Sequence, residues 1–562
     1  MDIYHNILRK YWGYSEFRPL QEEIIHAVCS GKDTLGLMPT GGGKSITFQV
    51  SALTMEGICL VVTPLIALMQ DQVENLQRIG IQATTIHSGM NRKEMQQRLN
   101  LCLSGNCKFL YVSPERLTSA YFREKLQAMN ICLLVVDEAH CISQWGYDFR
   151  PAYLQIADIR EQIPHVPVLA LTATATSQVI EDIQSKLLFK EYHLLKKSFD
   201  RPNLSYIIRK TEDKLYTLIY ILRKIAGSTI VYVRNRRQTR EIATQLQQAG
   251  ISANFFHAGL SREEKTARQS AWKNDQCRVM VATNAFGMGI DKADVRLVIH
   301  IQMPSSLEEY FQEAGRAGRD EQKAYAIVLN SQADSQKLSK QLEDEYPDKH
   351  LIQEIYESLC NHYAIQTQEG AHEIPHFSFS EFCATASFTP LQVHHALRLL
   401  DLSGYLEYHE EQYETNQSAE PQIYFTHPIV KKKELHIPYS VYEERRTKAE
   451  ERIKKVRAYL DSERICRNHL LLSYFGERYG VDCGRCDVCL SKEDSGLTNQ
   501  DFNQIRSLLI ENLSRQTSIS IQKFVEISPF TQEKTIKAIR FLIEHEDNLF
   551  QLMGDQIGMK QN

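Results

Sequence analysis

Short apolar runs alternate with longer stretches of mixed polarity along the first 330 residues. Each run spans four to six residues, and the clearest are 34–37, 131–136, 169–172, 229–233 and 279–282. Runs of this kind predict strands buried on both faces of a parallel sheet, and the stretches between them predict helices. Because the alternation restarts near Asn203, the pattern predicts an α/β fold with two parallel-sheet domains.

The chain repeats itself beyond residue 340. The segment Phe377–Phe382 resembles Ile519–Phe524, and Phe388-Thr389 and Phe530-Thr531 follow at the same offset. Each copy predicts a short helix, a turn, a second helix and a strand, which is helix-turn-helix organisation with a wing. A plain αα-hairpin explains either copy alone, but the shared register favours two winged-helix-like modules.

Composition and charge limit the class of protein to which the chain can belong. Of 562 residues, 43% are hydrophobic and 24% charged, which is ordinary for a soluble globular protein. The formal net charge is −4, so any nucleic-acid surface would be a local patch. No apolar stretch reaches the roughly 20 residues that span a bilayer, and the first residues lack the pattern of a signal peptide. We therefore expect a cytoplasmic protein with no membrane partner.

Candidate chemistry begins with a glycine-rich loop between the run 34–37 and a helix-compatible segment. Glycines let the backbone turn so that its N–H groups cradle a polyphosphate. The residues that would surround the phosphates are Thr40, Gly41, Gly42, Gly43, Lys44 and Ser45. Lys44 would reach the terminal phosphates, and the Ser45 hydroxyl would bind Mg²⁺. Met38 stands where the strict pattern has glycine, so the match covers only the Gly-Lys-Ser end.

Two acids follow the apolar run 131–136. An acid at the carboxyl end of a parallel strand faces the crevice where nucleotides bind. Asp137 can hold Mg²⁺ together with Ser45, and Glu138 can orient an attacking water. A solvated acidic loop after a core strand is the alternative. Loop and acids together predict a nucleoside triphosphatase.

The second α/β domain lacks a lysine-bearing loop of its own. It carries instead Arg316 and Arg319, three residues apart, after a predicted helix. A loop on one domain and arginines on the other predict a nucleotide held between the two. Either arginine can then reach the γ-phosphate.

Tyr14, Arg18 and Gln21 precede the first predicted strand. A glutamine amide can pair bidentately with the N6/N7 edge of adenine. Tyr14 can stack on the base, and Arg18 can add a cation–π or phosphate contact. By residue type alone, an amphipathic helix that docks on the domain is the simpler interpretation.

Aromatic residues crowd into the segment 141–151, just after the two acids. Trp145, Tyr147, Phe149 and Arg150 stand in a stretch that glycine and proline interrupt. Exposed aromatic rings with an interleaved arginine suit stacking on the bases of single strands. Packing of one or two rings in the core is the alternative, but three rings with an arginine would form an unusual core.

Four of the thirteen cysteines form a group with metal-ligand spacing. They are Cys466, Cys483, Cys486 and Cys489. Four thiolates complete the tetrahedral coordination of zinc, so the spacing predicts a structural Zn²⁺ site. A redox pair is the alternative, and His469 is a substitute ligand. The Lys/Arg-rich segment 443–457 predicts a helical platform and a candidate DNA face.

The order of these motifs resembles the RecQ family of superfamily 2 DNA helicases. Over residues 8–320 the motifs are TGGGKS, TPLIALMQDQ, DEAH, SQWGYDFRP, LTATAT, ATNAFGMGID and QEAGRAGRD. The resemblance implies RecA-like motor domains, and it extends to the cysteine segment, which is similar to the zinc subdomain of that family. It also implies adenine contacts or DNA coupling for Tyr14, Arg18, Gln21, Trp145, Phe149 and Arg150. Glu321 departs from the family, in which glycine usually follows the arginine motif.

The resemblance implies an ATP-dependent DNA helicase that moves 3′ to 5′ and acts in recombination and repair. Its partners would be single-stranded, branched or partly duplex DNA, with single-strand-binding and recombination proteins as candidates. In a bacterium it would be associated with the nucleoid. The alternatives are a DNA-stimulated translocase that remodels complexes without processive unwinding, and a DNA-binding scaffold with an inactive motor.

The sequence thus predicts five domains. Two RecA-like motor domains come first, then an inserted winged-helix-like module, a helical zinc-binding subdomain and a second winged-helix-like module. The predicted ranges are 1–205, 206–340, 341–435, 436–492 and 493–562.

Overall fold

The computed structural model describes residues 2–39, 41–143, 145–146, 149–287, 292–362, 372–374, 378–409, 422–426, 429–477, 481–494, 499–545 and 549–560. By its internal contacts the chain forms two compact units. The first comprises residues 1–199 and 209–457, and the second comprises residues 200–208 and 458–562.

The first unit begins with a seven-stranded parallel sheet. Its elements are α1 (Ile3–Trp12), α2 (Gln21–Cys29), β1 (Thr34–Leu37), α3 (Lys44–Leu53), β2 (Ile58–Val62), α4 (Ile66–Arg78), β3 (Ala83–Ile86), α5 (Arg92–Leu103), β4 (Phe109–Val112), α6 (Ala120–Gln127), β5 (Ile131–Asp137), α7 (Ile156–Gln162), β6 (Val168–Thr172), α8 (Ser177–Lys186) and β7 (Leu194–Lys196). The strand order is β3-β4-β2-β5-β6-β1-β7.

This strand order explains where the functional loops emerge. Strand β6 lies between β1 and β5 and pairs with both in parallel. Because the carboxyl ends of parallel strands meet at one edge of the sheet, the segments after β1 and β5 emerge side by side. Strands β1, β2 and β6 are buried along their whole length, as their continuous apolar pattern predicts.

A second parallel sheet follows. Its elements are β8 (Leu204–Lys210), α9 (Lys214–Lys224), β9 (Ser228–Tyr232), α10 (Arg236–Gln248), β10 (Ala253–Phe256), α11 (Arg262–Lys273), β11 (Val279–Ala282), β12 (Val295–His300), α12 (Leu307–Ala314) and β13 (Ala324–Asn330). Five of its strands have the order β10-β11-β9-β12-β13, while β8 crosses the boundary between the two units. The predicted pair of parallel-sheet domains is confirmed.

The rest of the first unit is a helix-rich module joined to most of a long helix, whose last four residues, 458–461, belong to the second unit. Its elements are α13 (Gln332–Glu345), α14 (Lys349–His362), β14 (His372–Ile374), α15 (Phe379–Ala386), α16 (Pro390–Leu402), β15 (Leu406–His409), β16 (Gln422–Phe425) and α17 (Glu443–Asp461). The strands form an antiparallel sheet in the order β14-β16-β15. Helix α16 begins at a capping box formed by Thr389 and Gln392.

The second unit contains the cysteine segment and a module with the same order of elements. These are α18 (Arg467–Tyr474), α19 (Asp487–Asp494), α20 (Asn499–Arg515), β17 (Ser518–Ser520), α21 (Ile521–Ile527), α22 (Gln532–His545), β18 (Phe550–Met553) and β19 (Gln556–Met559). Its sheet order, β17-β19-β18, matches that of the first module. Helices α15 and α21 start at the offset that the sequence repeat predicts, although Phe377 itself lies outside the described residues.

None of the described helices combines the length with the apolar character that crossing a membrane requires.

Candidate functional site

The glycine-rich loop connects β1 to α3. Gly41 and Gly43 have φ values of 81° and 74°, in the left-handed region that glycine adopts without steric cost. Lys44 and Ser45 then form the first turn of α3, where backbone N–H groups and the helix dipole attract anions. Thr40, which the sequence also places in the loop, lies outside the described residues.

Two of the three predicted adenine-binding residues contact this loop. Gln21 Nε2 donates to the Gly43 carbonyl at 2.9 Å, and Arg18 donates to the Gly41 carbonyl at 2.5 Å. Gln21 also accepts from the backbone N–H of Arg18 at 2.8 Å. Tyr14 is 57% exposed, so its ring is accessible. Arg18 and Gln21 therefore already bind the glycine-rich loop, and their predicted contact with the base would be made from these positions.

Lys44 and the two acids at the carboxyl end of β5 form one charged cluster. Lys44 Nζ lies 3.6 Å from Glu138 Oε1, and His140 Nδ1 lies 3.4 Å from Glu138 Oε2. Burial opposes the charge of Glu138, but the charges of Lys44 and His140 outweigh it and keep the pKa of Glu138 below its usual value. Burial and the neighbouring charge of Glu138 raise the pKa of Asp137 to about 6.

The backbone around these acids is fixed by its surroundings. Glu138 has a φ of 48°, which is rare for a residue with a side chain. The Tyr153 hydroxyl donates to the Asp137 carbonyl at 2.9 Å, and Glu138 N–H donates to Asp137 Oδ1 at 3.0 Å. Backbones in such unusual conformations cluster at functional sites.

The second sheet domain brings its arginines to the same place. A Cβ atom placed on Gly41 would lie 3.0 Å from the Arg319 side chain, so Arg319 borders the glycine-rich loop. Arg316 is buried, donates to the Gly287 carbonyl, and is close enough to Glu138 to lower the pKa of that carboxyl. Lys44, Glu138 and both arginines therefore lie close together around the glycine-rich loop.

A hydrogen-bonded path that the sequence analysis did not identify joins the two sheet domains. His140 Nδ1 lies 2.9 Å from Thr172 Oγ1, and that hydroxyl donates to the Thr174 carbonyl at 3.2 Å. Gln312 of α12 donates to Thr174 Oγ1 at 3.3 Å. All of these residues stand in the quoted motifs, but the motifs alone do not reveal which side chains touch.

The three predicted DNA-coupling residues lie in the segment that follows His140. Trp145 is 37% exposed, and its backbone N–H donates to Ser143 Oγ at 3.2 Å. Phe149 and Arg150 are half-buried, and Arg150 donates to the Pro64 carbonyl at 3.4 Å. Tyr147, the third ring of the segment, lies outside the described residues.

In the second unit the four predicted zinc ligands form a cluster. The sulfur atoms of Cys466, Cys483, Cys486 and Cys489 all lie within 4.8 Å of one another. Backbone N–H groups of Cys483 and Cys489 donate to cluster sulfurs at 3.4 Å, as they do to thiolates around a metal. His469 is engaged elsewhere, with Nε2 2.7 Å from the Val481 carbonyl. This donor set fits a closed tetrahedral zinc site.

Three family models match the chain. The DEAD/DEAH box helicase model covers residues 18–183, the helicase conserved C-terminal domain covers 211–321, and the RecQ zinc-binding model covers 429–490. The first two coincide with the two parallel sheets, and the third contains the four cysteines.

Curated relatives of this chain are also named helicases. The chain is 40% identical over 357 residues to the ATP-dependent DNA helicase RecQ of Haemophilus influenzae, covering 63% of this chain and 58% of that protein. It is 42% identical over 332 residues to the ATP-dependent DNA helicase RecQ of Bacillus subtilis, covering 58% of this chain and 56% of that protein. The chain thus aligns with rather more than half the length of these relatives.

Solved structures share the fold at low sequence identity. The DUF1998 helicase MrfA bound to DNA superposes with a TM-score of 0.51 at 17% identity, covering 61% of this chain and 53% of that one. Mss116p bound to ssRNA and AMP-PNP has a TM-score of 0.51 at 15% identity, covering 71% of this chain and 89% of that one. At such identity the likeness concerns the fold alone.

Proposed function

Because this chain belongs to the RecQ family of superfamily 2 helicases, we propose that it hydrolyses ATP to move 3′ to 5′ along DNA and unwind it. One observation carries the proposal. Lys44 and Glu138 of the first sheet domain and Arg319 of the second converge on the same glycine-rich loop. Because groups from both sheet domains surround one nucleotide, binding of the nucleotide can bring the two domains together, and its hydrolysis can let them separate.

In this site Lys44 binds the β- and γ-phosphates, and the N–H groups of the loop cradle them. Glu138 orients the attacking water, because Lys44 and His140 keep its carboxylate charged. Arg319 borders the loop and is our candidate for the finger on the γ-phosphate, while Arg316 stabilises charge near Glu138. Tyr14, Arg18 and Gln21 hold the adenine.

Ser45 and Asp137 would hold Mg²⁺. Hydroxyl and carboxylate oxygens are the ligands that this ion takes. Asp137 is half-buried, and desolvation and the charge of Glu138 disfavour its charged form, so a bound cation would stabilise that form. When bound, the ion neutralises charge on the phosphates.

Single-stranded DNA is the proposed track. Trp145 and Phe149 would stack on bases, and Arg150 would contact the DNA backbone. Because these residues closely follow Asp137 and Glu138 in the sequence, bound DNA can influence hydrolysis. Zn²⁺ would hold the second unit together through the four cysteines. We place the protein in the cytoplasm, in recombination and repair, with single-strand-binding and recombination proteins as candidate partners.

A comparison of ATP hydrolysis with and without single strands tests the proposal. We expect hydrolysis to be strongly stimulated by single-stranded DNA, and forked or overhanging duplexes to be unwound in the presence of ATP and Mg²⁺. Stimulation without strand separation would favour a translocase that remodels DNA structures. DNA binding without hydrolysis would favour a scaffold with an inactive motor.

A further inference from the structure

Helix α17 contacts Trp145 of the aromatic segment through a buried lysine. Lys448 Nζ lies 3.5 Å from the centroid of the Trp145 ring. Its side chain is only 8% exposed, and Glu444, one turn earlier, accepts a hydrogen bond from it at 2.6 Å. A cation over a tryptophan face is the strongest arrangement of its kind, and it strengthens further when water is excluded.

A second cation of α17 repeats the contact. Arg445, three residues before Lys448 and so on the same helical face, lies 4.8 Å over the ring of Phe149. Its Nε is buried and has no hydrogen-bond partner among the described residues. The two cations of α17 thus match the two described aromatic rings of the segment.

An adjacent face of α17, together with Tyr442 just before the helix, packs against the inserted module. Tyr442 and Ala449 share a hydrophobic core with Val393, Leu397 and other apolar residues of α16. The Tyr442 hydroxyl also donates to the Pro347 carbonyl at 3.0 Å. The position of α17 against the aromatic segment is therefore fixed by the module that follows the second sheet domain.

A cavity of about 370 Å³ lies beside these contacts. Four arginines line it, Arg150, Arg234, Arg316 and Arg452, together with the carboxylates of Glu309, Glu313 and Glu345, so its lining carries both charges. Arg452 comes from α17. Guanidinium groups suit the phosphates of a nucleic acid, so a base stacked on Trp145 would have arginines available for its backbone.

We propose that Lys448 and Arg445 are positioning residues that hold Trp145 and Phe149 ready for the bases of single-stranded DNA. Each cation lies over one face of its ring, and a base would stack on the other face. A ring that is held in advance costs less conformational entropy when DNA binds. The proposal rests on the proposed function, because it concerns how DNA engages the motor.

The test measures ATP hydrolysis against the concentration of a single-stranded oligothymidine. For Lys448→Gln we expect the DNA concentration that gives half-maximal stimulation to rise about fivefold, since a charge–ring contact is lost. The maximal rate at saturating DNA should change by less than about twofold, because binding and not chemistry is affected. Lys448→Arg should restore most of the apparent affinity. Arg445→Gln, which breaks the Phe149 contact, should act in the same direction.

Lys454→Gln is the matched control, since Lys454 is an exposed lysine on the same helix. It removes the same charge from a side chain that contacts no aromatic ring among the described residues, and it should leave the half-maximal concentration close to wild type. In a Trp145→Ala background the effect of Lys448→Gln should disappear, because the two residues form one interaction. Thermal unfolding of each variant shows whether the fold is kept.

Three outcomes would overturn the inference. Lys448→Gln and Lys454→Gln could have equal effects, Lys448→Arg could be as impaired as Lys448→Gln, or Lys448→Gln could raise hydrolysis without DNA. The last result would make the contact a restraint on the motor. If the unaltered protein shows no DNA stimulation, the proposed function itself fails, which is a separate result.

Discussion

Glu138 is the residue where the electrostatics of the nucleotide site converge. Its carboxylate faces Lys44 on one side and His140 on the other, and its φ of 48° places it in a region that few side chains tolerate. Such a conformation costs about 1–3 kcal/mol and persists only where the surroundings fix it. The protein thus gives up some folding free energy to hold the carboxylate of Glu138 in place.

Replacing Lys44 by alanine tests this residue-level arrangement. The cation serves both the phosphates and Glu138, so we expect turnover to fall by at least about a hundredfold. The fold and the binding of single-stranded DNA should be kept, because the change is confined to the loop. Phosphate release and fluorescence anisotropy measure the two properties. Lys93→Ala, an exposed lysine of α5, should behave as wild type, and rapid turnover by Lys44→Ala would contradict the site.

The bond between Thr174 and Gln312 gives a second residue-level prediction. Valine at position 174 keeps the shape of threonine but removes the acceptor of the hydrogen bond. A single hydrogen bond contributes about 1 kcal/mol, so we expect the DNA-stimulated rate to fall about fivefold. If the bond couples the two domains, Gln312→Ala should add little to Thr174→Val. Full additivity of the two changes in steady-state rate would rule out this coupling.

Some of these residues could be predicted from the sequence and others could not, for a physical reason. Lys44, Asp137 and Glu138 stand at fixed positions after buried strands, so local pattern places them. The bond from Gln312 to Thr174 joins residues 138 positions apart, and Lys448 meets Trp145 from a distant helix. Such contacts depend on how elements pack, which the hydrophobic pattern does not specify.

Among the elements, strand β1 has an unusual anchor. Asp33, immediately before it, is buried and pairs with Arg160 of α7 at 3.1 Å. The same carboxylate accepts from the backbone N–H groups of Val168 at 2.9 Å and Lys190 at 3.0 Å. One side chain thereby ties the start of β1 to β6 and to the segment after α8, and so sets where the glycine-rich loop begins.

Asp33→Ala should therefore destabilise the first sheet domain. Removing one member of a buried ion pair costs about 3–5 kcal/mol, because the other charge is left without compensation. Scanning calorimetry should show an unfolding transition at clearly lower temperature. The double variant Asp33→Ala/Arg160→Met should recover part of the loss, since no orphaned guanidinium remains. Equal stability of the single and double variants would show that the backbone contacts of Asp33 dominate.

The elements also differ in how well the sequence predicts them. Strands β1 and β6 are fully buried, and their continuous apolar runs predict them well. Helix α17 is rich in charge on all sides, so the sequence predicts a helical platform with a candidate DNA face in 443–457. In the structure Lys448 and Ala449 of this helix are buried, because two different partners cover its faces.

At the scale of the whole molecule, the second unit combines the four cysteines with contacts to a distant stretch of the chain. Arg467 pairs with Asp487 at 3.0 Å, next to two of the cysteines. Arg485 pairs with Asp200 at 3.0 Å and donates to the Leu204 carbonyl at 3.1 Å. The cysteine segment thus holds the stretch 200–208, which enters this unit from the middle of the chain.

Removal of zinc should therefore unfold the second unit and leave the first unit folded. We expect one equivalent of Zn²⁺ per chain and its loss in Cys486→Ala. Structural zinc contributes about 10 kcal/mol or more to the folding of small modules, so the second unit should lose its order. The first unit has large cores of its own, and ATP binding should persist.

Metal analysis, scanning calorimetry and binding of a fluorescent ATP analogue check these expectations together. Cys383→Ala is the matched control, since Cys383 is a buried cysteine of the inserted module with no part in the cluster. It should keep its zinc and both unfolding transitions. Unaltered protein with far less than one equivalent of zinc would refute the site. Loss of ATP binding in Cys486→Ala would mean instead that the motor depends on the zinc unit for its own folding.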